Sequence, residues 1–363
     1  MNIYINGRFL TQRVTGVQRY AREIVKALDE IIDKEDKGAY EWFILAPRNT
    51  KCDIKLKNIK FQNCGMLYGH LWEQMELPYF SRNGFLINLC NCAPLIKKKQ
   101  LLVIHDAAIA AYPNAYSWKF KTWYRIMHTI CGRRTEKIVT DSQFSKNELH
   151  KYFDIPKEKI TVIYAGIDHM DRIQADDTII DALRLNNEKF VFAVSSKNPT
   201  KNFPLVLRAA RLLPHIRFVI AGGSNSAVFV DGKDDKMANV TYTGYVSDEQ
   251  LISLYRHASV FVYPSLYEGF GIPPLEALSQ GCPIIVSDCA SLPEVCGDLA
   301  EYCQFDNEQE LAKKIKKYFV LGKVKDLSRI VKNKYYWYRS AENMLDVVNK
   351  IICDACSPPS YTL

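Results

Sequence analysis

The residues best placed to do chemistry lie between Val260 and Ala277, in the run Val-Phe-Val-Tyr-Pro-Ser-Leu-Tyr-Glu-Gly-Phe-Gly-Ile-Pro-Pro-Leu-Glu-Ala. An apolar strand ends at Pro264 and a glycine-bearing loop follows. Pro273 and Pro274 then open a helix, because proline suits a first turn whose backbone N–H has no intrahelical partner anyway. Gly269 and Gly271 let backbone amides approach a ligand closely, and a helix start favours negative charge and polar acceptors. Glu268 falls in the loop. Glu276, eight residues on, is expected in the first turn of the helix, ionised and able to accept two vicinal hydroxyls. The plainer reading is that Glu276 only complements the helix dipole and the glycines only turn the chain. A dinucleotide-binding reading also exists, since Gly269-x-Gly271 opens a helix and Asp288 ends the next strand 19 residues later. Pro274 stands where its third glycine belongs, and the motif sits in the last third of the chain, which speaks against a dehydrogenase.

The elements that position these residues follow from the wider pattern. At 363 residues the chain is long enough for two domains, and 48% hydrophobic with 24% charged residues is a globular composition. Short Val- and Ile-rich runs (Ile3–Ile5, Trp42–Ala46, Phe85–Leu89, Leu101–Ile104, Ile138–Thr140, Ile160–Tyr164) alternate with helical patterns near 17–32, 117–131 and 143–152. The alternation restarts at Phe190–Val194. It continues through a helix over 203–213, strand Phe218–Ala221, helix Asp248–Arg256, strand Val260–Tyr263, a helix over 273–280 and strand Ile284–Ser287. Continuously apolar strands alternating with helices predict parallel sheets covered on both faces. The expected division is 1–168, 169–335 and a last segment, 336–363, whose helix can pack on either domain, a return to the first being the expectation. Two such sheets facing each other would place ligands at a cleft beyond their strand ends.

No run reaches the roughly 18–20 apolar residues of a membrane-spanning helix, and the first residues lack a secretory layout; a cytoplasmic protein is expected. The 11 cysteines fit free thiols in a reducing compartment. Cys282, Cys289, Cys296 and Cys303 recur every seven residues, but Pro283, Pro293 and Gly297 break any helix through them, and Cys353-x-x-Cys356 lacks a second pair. No metal site is expected. The formal charge of +8 is uneven: residues 1–165 carry 26 Lys/Arg against 16 Asp/Glu, and residues 166–363 carry 22 against 24. A basic first half points to an anionic partner.

The 268–278 run, Glu-Gly-Phe-Gly-Ile-Pro-Pro-Leu-Glu-Ala-Leu, resembles the signature of retaining glycosyltransferase family 4, with two acidic residues separated by seven. The resemblance runs nearly end to end. It includes Gly16-Val-Gln-Arg-Tyr-Ala-Arg-Glu23, His105-Asp106, Asp141-Ser142-x-Phe144-Ser145, Val162-Ile163-x-x-Gly166-x-Asp168, Thr243-Gly244-Tyr245-Val246-Ser247 and Ser291-Leu-Pro-Glu294. It implies the GT-B fold, an α/β architecture of two Rossmann-like doubly wound domains around a central cleft. It also implies roles. Glu276 would bind the donor ribose. Glu268 and the amides of Gly269, Phe270 and Gly271 would hold the donor sugar and its phosphates. Lys201, in Pro-Thr-Lys-Asn, would neutralise the diphosphate, and Gly16 and Gly244 would border the donor. His105, with Asp106, would sit beside the acceptor and the reacting carbon. His105, Glu268 and Lys201 form the implied catalytic group. Two positions depart from the family: Ser196 and Thr200 stand where many members carry arginine, and Lys197 returns one positive charge to the donor site.

The sequence contains no Asp-x-Asp pair of the kind that holds a divalent ion on a diphosphate, so metal-independent transfer without a cofactor is expected. Residues 116–134 interleave Trp118, Lys119, Lys121, Trp123 and Arg125 with no acid among them. A basic helix with aromatics suits the headgroup layer of a membrane, although an ordinary domain-covering helix reads the same way. Nucleic acid is not an expected partner. The resemblance thus implies a retaining transferase that moves a hexose from a nucleoside diphosphate sugar, GDP-mannose or a UDP-hexose, to a lipid-linked glycan in bacterial surface-polysaccharide synthesis, at the cytoplasmic face of the membrane. The alternative is a sugar-nucleotide-binding protein without activity.

Overall fold

The computed structural model describes residues 1–35, 40–194, 198–222, 237–322 and 326–356. The chain divides into two units, Met1–Gly166 with Tyr336–Leu363, and Ile167–Tyr335.

The first unit is built on a parallel sheet of seven strands: β1 (Asn2–Asn6), β2 (Glu41–Ala46), β3 (Lys60–Asn63), β4 (Gly84–Asn88), β5 (Gln100–Val103), β6 (Lys137–Thr140) and β7 (Ile160–Val162). Their order is β3-β2-β1-β4-β5-β6-β7, so the direction of progression reverses between β1 and β4. β4 and β5 are buried along their whole length, as strands covered on both faces must be. The larger helices are α1 (Gly16–Glu35), α2 (Trp118–Arg134) and α3 (Gln143–Phe153). Ser117 and Ser142 cap the starts of α2 and α3, each hydroxyl accepting a backbone N–H three residues on.

The second unit repeats the plan with six strands: β8 (Phe190–Val194), β9 (Arg217–Ala221), β10 (Val240–Gly244), β11 (Val260–Tyr263), β12 (Ile284–Ser287) and β13 (Glu301–Cys303). The order β10-β9-β8-β11-β12-β13 is the doubly wound 3-2-1-4-5-6 arrangement, with its switch point between β8 and β11. Helices α4 (Phe203–Leu212), α5 (Asp248–His257), α6 (Ile272–Ser279), α7 (Glu308–Leu321) and α8 (Ser328–Lys334) surround it. Ser247 and Gln250 form a reciprocal capping box at α5. The core gathers α4, α7 and the inward residues of β8, β9 and β11.

The chain then returns to the first unit as α9 (Trp337–Cys356), which packs on α1. Trp337 meets Tyr20 edge-on at 5.6 Å between ring centroids. Gly166 makes this crossing possible: a Cβ there would lie 2.3 Å from Trp337 N. Among the described residues no helix is long and apolar enough to cross a membrane, and no cysteine is in a disulfide.

Candidate active site

In the second unit, the loops that leave β8 and β11 emerge side by side at the switch point, where open α/β sheets bind ligands. Short contacts tie them together, with Leu266 N donating to Thr200 O at 2.7 Å and Ser265 Oγ lying 2.9 Å from the same oxygen. This brings Lys201, from the turn Pro199–Lys201, onto Glu268. Its Nζ lies 2.6 Å from Glu268 Oε1 and 2.7 Å from the Tyr263 hydroxyl. Tyr263 and Ser265 donate to the same Oε1 at 2.8 and 2.5 Å. Burial, reinforced by Glu268, holds the Tyr263 phenol well above its ordinary pKa, so it stays a neutral donor. A cation and two hydroxyls thus fix one oxygen of the carboxylate.

The glycine loop is pinned from below. The single Ser291 O–H is shared between the carbonyls of Glu268 (2.9 Å) and Phe270 (3.0 Å). Phe270 is buried with its ring edge-on to Tyr335 at 5.6 Å, which leaves its backbone as the part that can meet a ligand. Gly271 is the N-cap of α6 with φ +97°, and a Cβ would lie 2.7 Å from Leu292 Cδ2. Both conditions call for glycine.

Glu276 differs from the sequence reading. The helix starts at Ile272, so Glu276 is its fifth residue and opens the second turn, where the helix start acts on it less directly. It is also buried. His169 Nε2 donates to its Oε1 at 3.1 Å and the Tyr255 hydroxyl faces Oε2 at 3.4 Å. Two buried partners therefore aim this carboxylate. Gly244 ends β10 with φ +70° and open space where a side chain would stand. Thr200, in place of the family arginine, is buried in the loop, whereas Ser196 and Lys197 lie outside the described residues.

In the first unit, Gly16 is the first residue of α1, and a Cβ there would meet nothing within 4 Å. His105 follows β5 and is buried. Its Nδ1 lies 2.6 Å from Asp141 Oδ2, and Nε2–H donates to Leu89 O at 3.0 Å. Both ring nitrogens are therefore committed within the protein. Burial alone would lower the imidazole pKa; the Asp141 carboxylate, by charge and by hydrogen bond, outweighs it and the net is raised. Asp106 accepts Ala108 N at 2.8 Å, a local turn bond. Trp118, Lys119 and Arg125 are exposed on α2, while Lys121 and Trp123 are half-buried.

Sequence reasoning passed over Tyr263, Ser265, Tyr255, His169 and Asp141. Tyr263 and Ser265 lie inside the run it singled out. Asp141 adjoins Ser142 in another matched segment, and only the fold brings it to His105. Among the described residues the seven-spaced cysteines form no group of three metal donors. Among the described residues one group of three potential metal donors exists, His70, Glu73 and Cys92, with ligand atoms within 4.8 Å of one another. Glu73 is already held by Arg8 Nε (3.1 Å), Asn6 Nδ2 (2.8 Å) and His70 Nδ1 (3.1 Å).

Known proteins resemble this chain in sequence and fold. The family described as "Glycosyl transferases group 1" matches residues 176–337, and "Glycosyltransferase Family 4" matches residues 84–170. O-antigen chain mannosyltransferase B of Escherichia coli is 34% identical, over 78% of this chain and 82% of its own. The chain belongs to this glycosyltransferase family. The O-antigen chain mannosyltransferase RfbU of Salmonella typhimurium is 26% identical, over 83% of this chain and 86% of its own. Among solved structures, a sucrose-phosphate synthase from Thermosynechococcus elongatus superposes with a TM-score of 0.73 at 14% identity, covering 98% of this chain and 100% of that one. Anabaena HepE, solved with UDP and glucose, gives 0.70 at 14% identity, covering 96% and 99%. These two share the GT-B fold. The family identity makes the Lys201–Glu268 loop pair the natural donor-site candidate of this glycosyltransferase.

Proposed function

We propose that this glycosyltransferase moves mannose from GDP-mannose to a hydroxyl of a lipid-linked glycan during O-antigen synthesis, with retention at the anomeric carbon and without a metal ion. The observation that carries the reading is the Lys201–Glu268–Tyr263 cluster at the switch point of a family member. Two relatives named as O-antigen chain mannosyltransferases support mannose. A UDP-hexose is the second donor reading, supported by the structural likeness to HepE with its UDP and glucose.

In this reading the site's task is to stabilise negative charge on the leaving diphosphate while the sugar becomes cation-like. Lys201 supplies a positive charge, and the backbone of Gly269 to Gly271 at the start of α6 supplies amide dipoles. Glu268, with Oε1 fixed by three donors, turns its other oxygen to the sugar. Glu276, aimed by His169 and Tyr255, accepts the ribose hydroxyls. Gly16 leaves room for the phosphates at the start of α1. His105 has both ring nitrogens committed to Asp141 and to Leu89 O, so in this reading it orders the acceptor side instead of taking up a proton. Contact with the cytoplasmic face of an anionic membrane, through α2, brings the enzyme to a lipid-linked acceptor.

The test is the product. The anomeric configuration of the new linkage, read by NMR from a reaction run in excess EDTA, should match that of the donor. An inverted product, or activity lost with chelator and restored by Mg²⁺ or Mn²⁺, would overturn the proposed mechanism.

A further inference from the structure

Residues 69–80 of the first unit form a helical stretch with a π-turn over Trp72–Glu76. One side buries Trp72, Glu73 and Leu77. The other presents Leu71, Met75 and Tyr79, four residues apart, at 63%, 66% and 59% exposure. An exposed apolar stripe of this kind is uncommon on a solvated domain and marks a surface that meets something. The stripe continues onto its surroundings. His70 packs edge-on against Trp123 (5.6 Å) and Tyr124 (6.2 Å), which joins the stretch to α2 with its exposed Trp118. Gln74 holds the following loop, donating to Ala93 O at 3.0 Å and accepting from Leu95 N at 3.0 Å, and so sets the exposed Ile96 beside it.

The charge around this face is mainly positive. Residues 77–137 carry ten Lys/Arg against two acids, Asp106 and Glu136, the latter beside Arg82 and Lys99. The Arg82 guanidinium stacks 4.2 Å over the Tyr79 ring, and Lys98, Lys99 and Lys119 are exposed. Glu76, the acid on the stretch itself, is used internally: its carboxylate accepts Met66 N at 3.0 Å and Leu67 N at 2.9 Å. Two copies of such a face would repel each other, whereas an apolar stripe within a cationic field complements an anionic lipid surface. The position also fits. The stretch starts just beyond β3 at the carboxyl edge of the sheet, where ligands bind, and runs back to the amino end of β4.

We propose that this face docks on an anionic lipid bilayer, with Leu71, Met75 and Tyr79 entering the acyl boundary and the surrounding lysines and arginines on the headgroups. The proposal rests on the membrane contact suggested above and assigns its apolar anchor to residues 69–80, outside α2. α2 contributes cations; the stripe contributes the part of the binding that salt does not screen.

The experiment uses the full chain and vesicles of phosphatidylglycerol with phosphatidylethanolamine, or of phosphatidylcholine alone, in a flotation assay. The parent should float with the anionic vesicles and far less with the neutral ones. The combined variant Leu71→Ser, Met75→Ser, Tyr79→Ser should bind at least tenfold more weakly at low salt. At about 1 M salt, where screening leaves only roughly 3 Å of electrostatic reach, the parent should keep residual binding that this variant lacks. Donor affinity and thermal midpoint, measured on the same samples, should equal those of the parent; these report on fold and transferase site separately from the membrane. The proposal is wrong if the parent does not bind anionic vesicles, or if the variant floats as the parent does. It is also wrong if the variant's only change is loss of concentration-dependent self-association in vesicle-free buffer.

Discussion

Lys201 Nζ and Glu268 Oε1 lie 2.6 Å apart, a contact between loops that leave two neighbouring strands. The pair is only partly solvated, and Tyr263 and Ser265 complete it. Charge and geometry are therefore set within the protein itself, as the proposed stabilisation of a leaving diphosphate requires.

Replacing Lys201 by Met should remove the cation while Tyr263 and Ser265 still hold Glu268. Turnover should fall by about 10²–10³-fold, the usual scale for losing one preorganised charge-stabilising donor. Tyr263→Phe removes one of three donors and should cost less. A kcat for Lys201→Met within threefold of the parent would show that the charge is not used.

Glu276→Ala should weaken donor binding about 10- to 100-fold, the equivalent of a charge-assisted hydrogen bond of about 1.5–3 kcal/mol. Nucleoside diphosphate should lose affinity alike, because the ribose is the part released, whereas inorganic pyrophosphate should not. Calorimetry decides it; unchanged affinity for the donor sinks the assignment.

The His105–Asp141 pair makes a prediction about pH. The raised pKa of His105 means that its protonated form is favoured by folding. Its contribution to stability is therefore fully present below the unfolded value, about 6.5, and is lost as pH rises through the folded value. His128, buried with its pKa lowered to about 4, behaves oppositely, losing its contribution as pH falls from 6.5 towards 4. NMR titration of the histidines should show the two rings titrating on either side of 6.5. Asp141→Asn should bring His105 down, and the stability gap between parent and variant should be widest at low pH and close as pH rises. A His105 that titrates below 6.5 in the parent contradicts the arrangement.

Two glycines should behave differently. Gly166→Ala puts a methyl 2.3 Å from the Trp337 backbone N and should destabilise by about 1–3 kcal/mol or more, seen as a lower Tm. Gly16→Ala meets open space and should leave Tm unchanged while raising the donor KM. Equal effects of both changes on Tm would remove the structural distinction.

Much of this was legible in the sequence because buried parallel strands announce themselves as apolar runs: β11 and β12 fall where Val260–Tyr263 and Ile284–Ser287 predict them. β3 and β10 were not, since these edge strands are half-solvated and their residues, Lys60-Phe-Gln-Asn63 and Val240-Thr-Tyr-Thr-Gly244, show no such run. The helical stretch 69–80 was missed for a related reason: its apolar residues face out as well as in, which blurs the period. At the site, Glu268 and Glu276 stand out by spacing alone. Their partners could not, because His169 reaches Glu276 across 107 positions and Lys201 reaches Glu268 across 67. Glu276 falls one residue past the first turn because the helix that Pro273 and Pro274 predict begins already at Ile272.

The most direct test is a donor panel. The full chain is incubated with a lipid-linked glycan acceptor and, separately, with GDP-mannose, UDP-glucose and other common sugar nucleotides, and product mass is read. The account predicts one added hexose from GDP-mannose, absent with Lys201→Met. Tight binding of a sugar nucleotide with no product from any donor would contradict it and leave a binding protein in its place.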